Sequence, residues 1–567
     1  MVAGARTFTL EDTFLEPQIL NPPPTRHALL AFLLVLAAVI HIGTAGWGDL
    51  YDGVEGQLAG GAREMLESKQ WLLPTNNGVP QLETPPLAYW MLALSYKILG
   101  VTAAAARIPI ALAMIGSVAL IFLIGERLAG YWRGFAAGLI HLCSGGAFLL
   151  GRMVSHDSFF ALFIAGAIYC LVCGYQRRKF RWAWFAVFWF CGSLACLTKG
   201  PAAILYLGGI CLLLAIFFRE ARLRFRLLFH WSYLLLFVVI TASWIIWAQN
   251  HFPGFLSSLL NSANETALPR GQFLLRHIVW WFPAVFLILP GLYFAPSKVV
   301  RPREMTFPDA LPLCWLGIAF LPLVIGDRQP HSALAAMSPF ALFAACAWER
   351  TSRPFRIAGI ALVLLFGGAV AAMFCFAPRL FDSITFGTIP GEESRYFIHM
   401  APIAFLVLLV CSLAAIFLVI KQREELALFL VLGSMVPIGF GLAESVSRSA
   451  YRFSMADAAQ FLNPRLGPQG QVLYEGPLRS ANSLSFYLSK NYFLVNQTPG
   501  PFEQDAASQH KYLDEHFVLE AWEGANPIYL IVEQDRVAHW RKLIVDRVHI
   551  YRQVTTCGTR VVLSNQL

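Results

Sequence analysis

The chain has 567 residues and a net charge of +9; 57% of its residues are hydrophobic and only 14% are charged. Its mean hydropathy is +0.58. This composition excludes a water-soluble globular protein and indicates a membrane protein, because a soluble core of this size cannot bury so much apolar surface. The basic residues are scattered through short loops between apolar runs, so they are expected to orient membrane helices, and we expect no nucleic-acid partner.

Residues 1–27 carry Arg6, Arg26 and a Pro-rich stretch at 21–24, and no small-residue cleavage site follows the first apolar run. We predict a cytoplasmic tail over 1–27 and an uncleaved first helix. Apolar runs long enough to cross a hydrocarbon core recur as far as Leu442. About thirteen membrane helices are predicted, at 28–46, 107–126, 134–150, 158–175, 182–198, 201–218, 229–248, 277–296, 309–326, 332–348, 355–377, 400–420 and 425–443.

The segment between the first two predicted helices is called the first loop here (residues 47–106). Within it, Leu58, Ala62 and Met65 recur at helical spacing, which predicts a surface-lying helix over 54–67. A second apolar stretch, 86–99, is short for a crossing and is predicted to lie along the surface. With 86–99 on the surface, alternate loops carry 18 and seven Lys and Arg residues. Because cytoplasmic loops are rich in these residues, the richer set and the N-terminus are predicted inside, and the C-terminus outside.

By this topology, most of the chemically useful polar residues lie in outer loops or at the outer ends of helices. They are Asp49, Asp52, Glu55, Glu83, His156, Asp157, Lys199, Glu265, Arg270, Arg276, Asp327, Arg328 and His331. Carboxylates can accept a proton or hold a cation, and Lys and Arg neutralise a leaving phosphate, so the set suits transfer from a phosphate-linked donor. The plainer alternative is that each is an ordinary helix-end residue, with Asp157 an N-cap.

Several ordered motifs resemble those of a known family. In the first loop they are Ala62–Ser68, Trp71–Pro74, Gly78–Pro80 and Leu82–Trp90; further along they are Ala106–Pro109, His156–Asp157, Leu197–Pro201 and Asp327–His331. Together they resemble the C-type glycosyltransferase superfamily, and within it the bacterial aminoarabinose-lipid A transferases and protein O-mannosyltransferase-like enzymes. The resemblance covers roughly residues 30–350.

The resemblance implies inverting transfer of a sugar from a polyprenyl-phosphate donor to a glycolipid, a protein or an envelope glycan, on the outer face of a bacterial inner membrane. It implies catalytic roles for Asp52, Glu55 and Asp157. It implies substrate binding by Glu83, Lys199, Arg328, His331, Glu265, Arg270 and Tyr89. A divalent cation, held by Asp52 and Asp157, stays an open alternative.

Two departures from the family's motifs stand out. Val54 occupies the position of the family's first-loop Asp, so the base could be Asp52, which we favour, or Glu55. Thr84 replaces a Lys that is common in aminoarabinose transferases, which weakens the assignment of that particular sugar.

From about residue 445 the composition changes, and no further membrane helix is predicted. Strands are predicted at 471–475, 492–495, 527–532 and 560–563, with helices at 453–463, 480–489 and 534–544. The predicted fold is thus an all-α polytopic membrane domain (28–443), with juxtamembrane helices in its first loop, and a small soluble α/β domain outside the membrane (444–567). We find no catalytic motif in the latter, whose role could be to cap the site or guide the acceptor.

A transporter or a flippase of lipid-linked sugars is the chief alternative function, because many crossings and polar outer loops suit it equally well. Transporters usually place ionisable residues or broken helices near the middle of the membrane, in repeated halves. Here the charged residues cluster at helix ends on one side, and no internal repeat is visible. We therefore favour the enzyme.

Overall fold

The structure, a computed structural model, describes residues 24–177, 179–257, 269–300, 304–322, 333–376, 391–500, 510–547 and 550–566. A long helical region comes first. It is followed by a smaller C-terminal region that is built on a six-stranded sheet. The boundary predicted between residues 443 and 444 falls inside the helix Glu424–Arg448, so the C-terminal region begins after Arg448.

The helices of the first region share a high content of apolar residues, and several begin or end at glycine. They are α1 (Pro24–His41), α2 (Val54–Ser68), α3 (Leu87–Leu99), α4 (Ala103–Ala129), α5 (Tyr131–Leu142), α6 (Gly145–Leu149), α7 (His156–Gln176), α8 (Arg181–Lys199), α9 (Ala202–Phe217), α10 (Arg219–Phe225), a 3-10 turn (Arg226–Phe229), α11 (Trp231–His251), α12 (Arg270–Trp280), α13 (Ala284–Phe294), α14 (Pro296–Val300), α15 (Phe307–Ala319), α16 (Ala333–Arg350), α17 (Arg353–Phe376), α18 (Gly391–Ile420) and α19 (Glu424–Arg448).

Within the described ranges, seven helices are long and apolar enough to cross a membrane, or up to eight if the bent pair α12–α13 counts as one span. That pair replaces the single helix predicted at 277–296, and the helix axis bends by 109° between its two halves. The helix predicted at 134–150 is likewise divided into α5 and α6, because the chain leaves helical geometry around Cys143 and Ser144. Four further helices, α1, α3, α9 and α15, are apolar but shorter. The described part of the fold is therefore polytopic and helical, and it does not confirm the predicted count of thirteen membrane helices.

The first loop is a compact layer at one end of the helical bundle. Both helices predicted in it are present, as α2 and α3, and they pack on each other and on the start of α4 through a shared apolar cluster. Between them a hairpin pairs β1 (Thr75–Asn76) with β2 (Val79–Pro80). Its turn is Asn77–Gly78, both with positive φ, which is the geometry that an Asn-Gly pair favours in tight hairpins.

Two ion pairs lie at the end of the bundle that is opposite to the first loop. Arg26, near the start of α1, pairs with Glu126 near the end of α4, and Arg350 at the end of α16 pairs with Asp309 at 2.6 Å. The first loop joins the end of α1 to the start of α4, so it lies at the other end. The start of α1 and the first loop are therefore at opposite ends of the bundle.

The C-terminal region is a mixed sheet with helices on both faces. Its strands, β3 (Gln471–Glu475), β4 (Phe493–Val495), β5 (Tyr512–Leu513), β6 (Ile528–Glu533), β7 (Arg552–Cys557) and β8 (Arg560–Ser564), lie in the order β5-β4-β3-β6-β8-β7. The first four of that order are parallel, whereas β8 is antiparallel to both of its neighbours. Its helices are α20 (Ala450–Phe453), α21 (Ala456–Leu462), α22 (Asn482–Tyr487), α23 (Glu515–Trp522) and α24 (Val537–Arg547), with 3-10 turns at Leu478–Ser480 and Gln534–Arg536. Apolar clusters cover both faces of the sheet.

Candidate active site

The start of α7 and the end of α8 meet at the end of the bundle that carries the first loop. Lys199 Nζ lies 2.6 Å from Asp157 Oδ1. Asp157 stands in the first turn of α7 and Lys199 in the last turn of α8, where the two helix dipoles favour an anion and a cation respectively. The Asp157 side chain is only 6% exposed, but that of Lys199 is 23% exposed. The ammonium group is thus held by Asp157, while the lysine side chain is partly exposed.

The segment 82–84 of the first loop packs against both of these helix ends. The Thr84 hydroxyl lies 2.9 Å from His156 Nε2, and Leu82 shares an apolar cluster with Leu197, two residues before Lys199. Glu83 lies between these two contacts, and its side chain is exposed. The segment therefore brings the exposed Glu83 carboxylate close to the Asp157–Lys199 ion pair.

Tyr89 stands behind this segment on α3. Its ring meets the His156 ring edge-on, with centroids 6.2 Å apart, and Gly61 of α2 makes room for it, since a Cβ there would lie 2.6 Å from the Tyr89 ring. The Tyr89 hydroxyl is buried, and the side chains of Thr84 and Gln57 are its polar neighbours.

Asp52, the favoured base in the sequence analysis, is bound to the C-terminal region. Its Oδ1 accepts hydrogen bonds from the Ser483 backbone N–H (3.0 Å) and hydroxyl (2.6 Å), and its Oδ2 lies 2.8 Å from Arg560 Nη1. Burial raises the pKa of Asp52, and Arg560 and Ser483 act against that shift. Both carboxylate oxygens thus have protein partners, an unexpected geometry for a residue that must accept a proton from a substrate.

Glu55, the second candidate, is 1% exposed. Its oxygens accept hydrogen bonds from the backbone N–H groups of Tyr51 (2.9 Å) and Val154 (2.8 Å), and Arg107 lies 3.6 Å away. Arg107 also donates to backbone carbonyls between residues 45 and 49. The Glu55 carboxylate therefore joins the first loop to the segment before α7, and Arg107 fixes the path of the chain after α1.

The remaining predicted residues fall into two groups. Asp49 is half-buried beside the Tyr487 hydroxyl, and Arg270 is exposed at the first residue of α12. Glu265, Asp327, Arg328 and His331 lie outside the described residues. Among the described residues, no three His, Cys, Asp or Glu side chains are close enough together to hold a metal ion.

Sequence reasoning missed the partners of Asp52. Arg560 stands at the start of a predicted strand and Ser483 in a predicted helix, and nothing in either local pattern signals a contact with the first loop. Only the departure at Val54, which unsettles the assignment of the base, hinted that the first-loop carboxylates are used differently here.

Residues 83–247, which include Glu83, Asp157 and Lys199, match the protein family described as dolichyl-phosphate-mannose-protein mannosyltransferase. The helical fold and this match agree with the resemblance to the C-type glycosyltransferase superfamily, which is thereby confirmed. Over this segment the chain is therefore similar to membrane glycosyltransferases.

The fold is similar to that of ArnT from Cupriavidus metallidurans. Its structure bound to undecaprenyl phosphate superposes with a TM-score of 0.80 at 20% sequence identity, covering 95% of this chain and 98% of that one. The apo form gives the same TM-score.

Curated relatives are more distant in coverage. An uncharacterized protein of Aquifex aeolicus is 26% identical over 64% of this chain and 74% of its own length. An undecaprenyl phosphate-alpha-4-amino-4-deoxy-L-arabinose arabinosyl transferase of Proteus mirabilis is 23% identical over 55% of this chain, and one of Edwardsiella ictaluri 26% over 56%. The chain spans 59% and 60% of the length of these two transferases.

Proposed function

We propose that the chain is a membrane glycosyltransferase that moves a sugar, with inversion, from a polyprenyl-phosphate donor to an acceptor on the outer face of a bacterial inner membrane. The observation that carries this proposal is the Lys199–Asp157 pair, held at two helix ends beside the exposed Glu83. The activity for which the arabinosyl transferases are named and the lipid bound to ArnT support the donor class. The matched segment, 83–247, includes this pair.

Lys199 is proposed to bind the donor phosphate. Its side chain is partly exposed, and its ammonium group can donate to a phosphate oxygen while Asp157 keeps it in position. A hydrogen bond between charged groups is about twice as strong as one between neutral groups, and it strengthens as charge develops on the leaving phosphate. Arg328, His331, Glu265 and Arg270 are proposed to contribute to the same substrate, as the family motifs imply.

Glu83 is proposed as the general base. An inverting transfer needs a carboxylate that the acceptor can reach, and in the described part of this end of the bundle Glu83 is exposed while Asp52 and Glu55 are engaged. Its carboxylate would take the proton of the acceptor hydroxyl as that oxygen bonds to the anomeric carbon. The bond from this carbon to the phosphate oxygen breaks, and the phosphate leaves with the electron pair beside Lys199.

The membrane arrangement follows from the same proposal. Residues 28–443 would form the transmembrane domain and 444–567 a domain outside the membrane, because the C-terminal region is bound to the first loop. The tail 1–27 would then be cytoplasmic, at the end of the bundle where Arg26 pairs with Glu126. The excess of Lys and Arg in the loops of that end supports this direction.

The experiment is a transfer assay with the full chain in lipid vesicles. The donors are polyprenyl-phosphate aminoarabinose and polyprenyl-phosphate mannose, because Thr84 leaves the sugar open, and the acceptors are lipid A and envelope proteins. We expect mass spectrometry to find a sugar-modified acceptor, no product with Lys199→Met, and normal product with Lys97→Met, which alters an exposed lysine of α3. Movement of the lipid-linked sugar across the membrane without transfer, surviving Lys199→Met, would instead identify a flippase.

A further inference from the structure

The C-terminal region contacts the first loop at both ends of the α2–hairpin module, residues 52–80. At its start, the Gly53 N–H donates to the Arg479 carbonyl (2.9 Å), and Asp52 binds Ser483 and Arg560. At its far end, the Asn77 amide group and the Tyr492 backbone form a reciprocal pair at 2.8 and 3.0 Å. The module is therefore fixed at two points rather than resting on the membrane helices alone.

Between these two points α2 touches the C-terminal region without intervening side chains. A Cβ on Gly56 would lie 2.3 Å from the Ser483 backbone nitrogen, and one on Gly60 would lie 3.1 Å from Ser485 Cβ. On the next turn, Arg63 donates to the carbonyls of Phe486 (2.7 Å) and Leu488 (2.8 Å). Such close packing transmits small displacements, because interiors at this density have little free space.

The Asp52–Arg560 pair is the most enclosed ionic contact of this interface. Their side chains are 11% and 8% exposed. Arg560 is further held by the Ser480 carbonyl (2.6 Å) and by Glu533 (2.9 Å). A buried ion pair with its other hydrogen bonds filled has no partner to exchange with a substrate, and removing either side leaves the other charge buried alone.

The module leads directly into the candidate site. Its second strand, β2, ends at Pro80, three residues before Glu83. In that short stretch Gln81 is bonded to Gln57 of α2 (2.8 Å), and its N–H donates to the Pro74 carbonyl (2.8 Å). The position of Glu83 therefore depends on where the hairpin and α2 lie.

We propose that Asp52 is a positioning residue that locks the first loop to the C-terminal region through Ser483 and Arg560, and thereby sets the location of Glu83 and Thr84. The part that concerns Glu83 rests on the proposed function, whereas the lock itself does not. The C-terminal region is then part of the scaffold of the site, and its sheet supplies the cation that the first loop needs.

A double-mutant cycle in the full chain, in nanodiscs, tests the lock. Asp52→Asn, Arg560→Gln and the double variant are compared by hydrogen exchange of residues 54–68 and by sugar transfer. We expect each single variant to speed exchange and to lower transfer by about tenfold, and the double variant to be no worse than the worse single one, because both remove one contact. Arg547→Gln, which breaks an exposed pair with Glu523 in the same region, should change neither measurement.

The outcomes distinguish a positioning role of Asp52 from a role as the catalytic base. If Asp52→Asn abolished transfer without changing exchange, and Arg560→Gln left both untouched, Asp52 would act in the chemistry and the lock would be wrong. Unchanged exchange in all three variants would also overturn it. If the wild-type chain transferred no sugar, the proposed function would fail, but faster exchange of 54–68 in Asp52→Asn and Arg560→Gln would still support the lock.

Discussion

Two ion pairs at the same end of the bundle invite comparison. In the Asp52–Arg560 pair both side chains are nearly enclosed, and the arginine is also bound by a carbonyl and a second carboxylate. In the Asp157–Lys199 pair the carboxylate is enclosed, but the lysine is 23% exposed and ends a helix. The first pair is saturated by protein groups, whereas the second presents a cation that is already oriented.

The difference explains how residues with similar chemistry can be assigned different roles. A saturated pair holds two parts of the chain together, and a partly open one can share its cation with a phosphate. In a sequence, an Asp in the first loop and an Asp at a helix start are equivalent candidates. Only the exposure and number of their partners distinguish them.

The greatest loss of activity is expected at Glu83, the exposed carboxylate beside the Asp157–Lys199 pair. Glu83→Gln removes the proposed base, and we expect kcat to fall by about 10²–10⁴-fold, the usual contribution of a general base. Initial rates of sugar transfer measure the loss.

The matched control is Glu67→Gln in the first loop. Glu67 is 56% exposed and pairs with Arg63 one turn earlier on α2, and exposed pairs contribute little. Equal loss of activity in the two variants would mean that Glu83 acts only through the general charge of the loop.

A second prediction concerns the interface that contains the enclosed Asp52–Arg560 pair. It weakens this interface without removing a charge. Gly56→Ala places a methyl group against the Ser483 backbone, and we expect the free energy of unfolding to fall by about 1–3 kcal/mol, as overpacking does. The melting temperature in detergent should drop accordingly. Gly433→Ala in α19, where a Cβ meets no atom within 4 Å, is the control and should not lower it. If the two variants melted alike, the contact between α2 and α22 would be looser than described.

The smallest expected effect lies in the C-terminal region, at Glu475. Burial acts to raise the pKa of Glu475, but hydrogen bonds from Arg536, Trp540 and Asn496 outweigh it and hold this pKa below its ordinary value. Because the folded pKa is lowered, the stabilisation is complete above the unfolded value of about 4.3 and is lost as the pH falls through the folded pKa. The protection factor of β3, which is its hydrogen exchange relative to the intrinsic rate at each pH, should therefore fall on acidification of the full chain.

Glu475→Gln should flatten that acid dependence, since the titrating group is gone. Asp546→Asn, which alters an exposed carboxylate on α24, should leave it unchanged. An equal acid response in Glu475→Gln and the wild type would assign the effect to other groups.

The sequence predicted the local structure of the first loop well. The spacing of Leu58, Ala62 and Met65 predicted a helix over 54–67, and α2 runs from Val54 to Ser68. The predicted strands 471–475, 527–532 and 560–563 correspond to β3, β6 and β8, because continuous apolar runs signal strands buried on both faces. Among the described residues of the C-terminal region, the strands that it missed are β5, which has two residues, and β7, in which only Cys557 is buried.

The sequence could not predict what depends on distant contacts. Asp52 and Arg560 are 508 residues apart, and no local pattern links them. The division of the helix predicted at 134–150 was also missed, although Ser144, Gly145 and Gly146 stand at the point where the helix is divided. The pairing of Lys199 with Asp157, by contrast, follows from two helix ends on one side of the membrane, and the sequence-derived topology had placed both there.

The central claim is that Lys199 binds the phosphate of the donor lipid. A cryo-EM structure of the full chain in nanodiscs with an added polyprenyl phosphate tests it most directly. We expect a phosphate oxygen about 2.7–2.9 Å from Lys199 Nζ, the distance of a charge-assisted hydrogen bond. A lipid phosphate bound at the opposite end of the bundle, with Lys199 still turned only to Asp157, would contradict it.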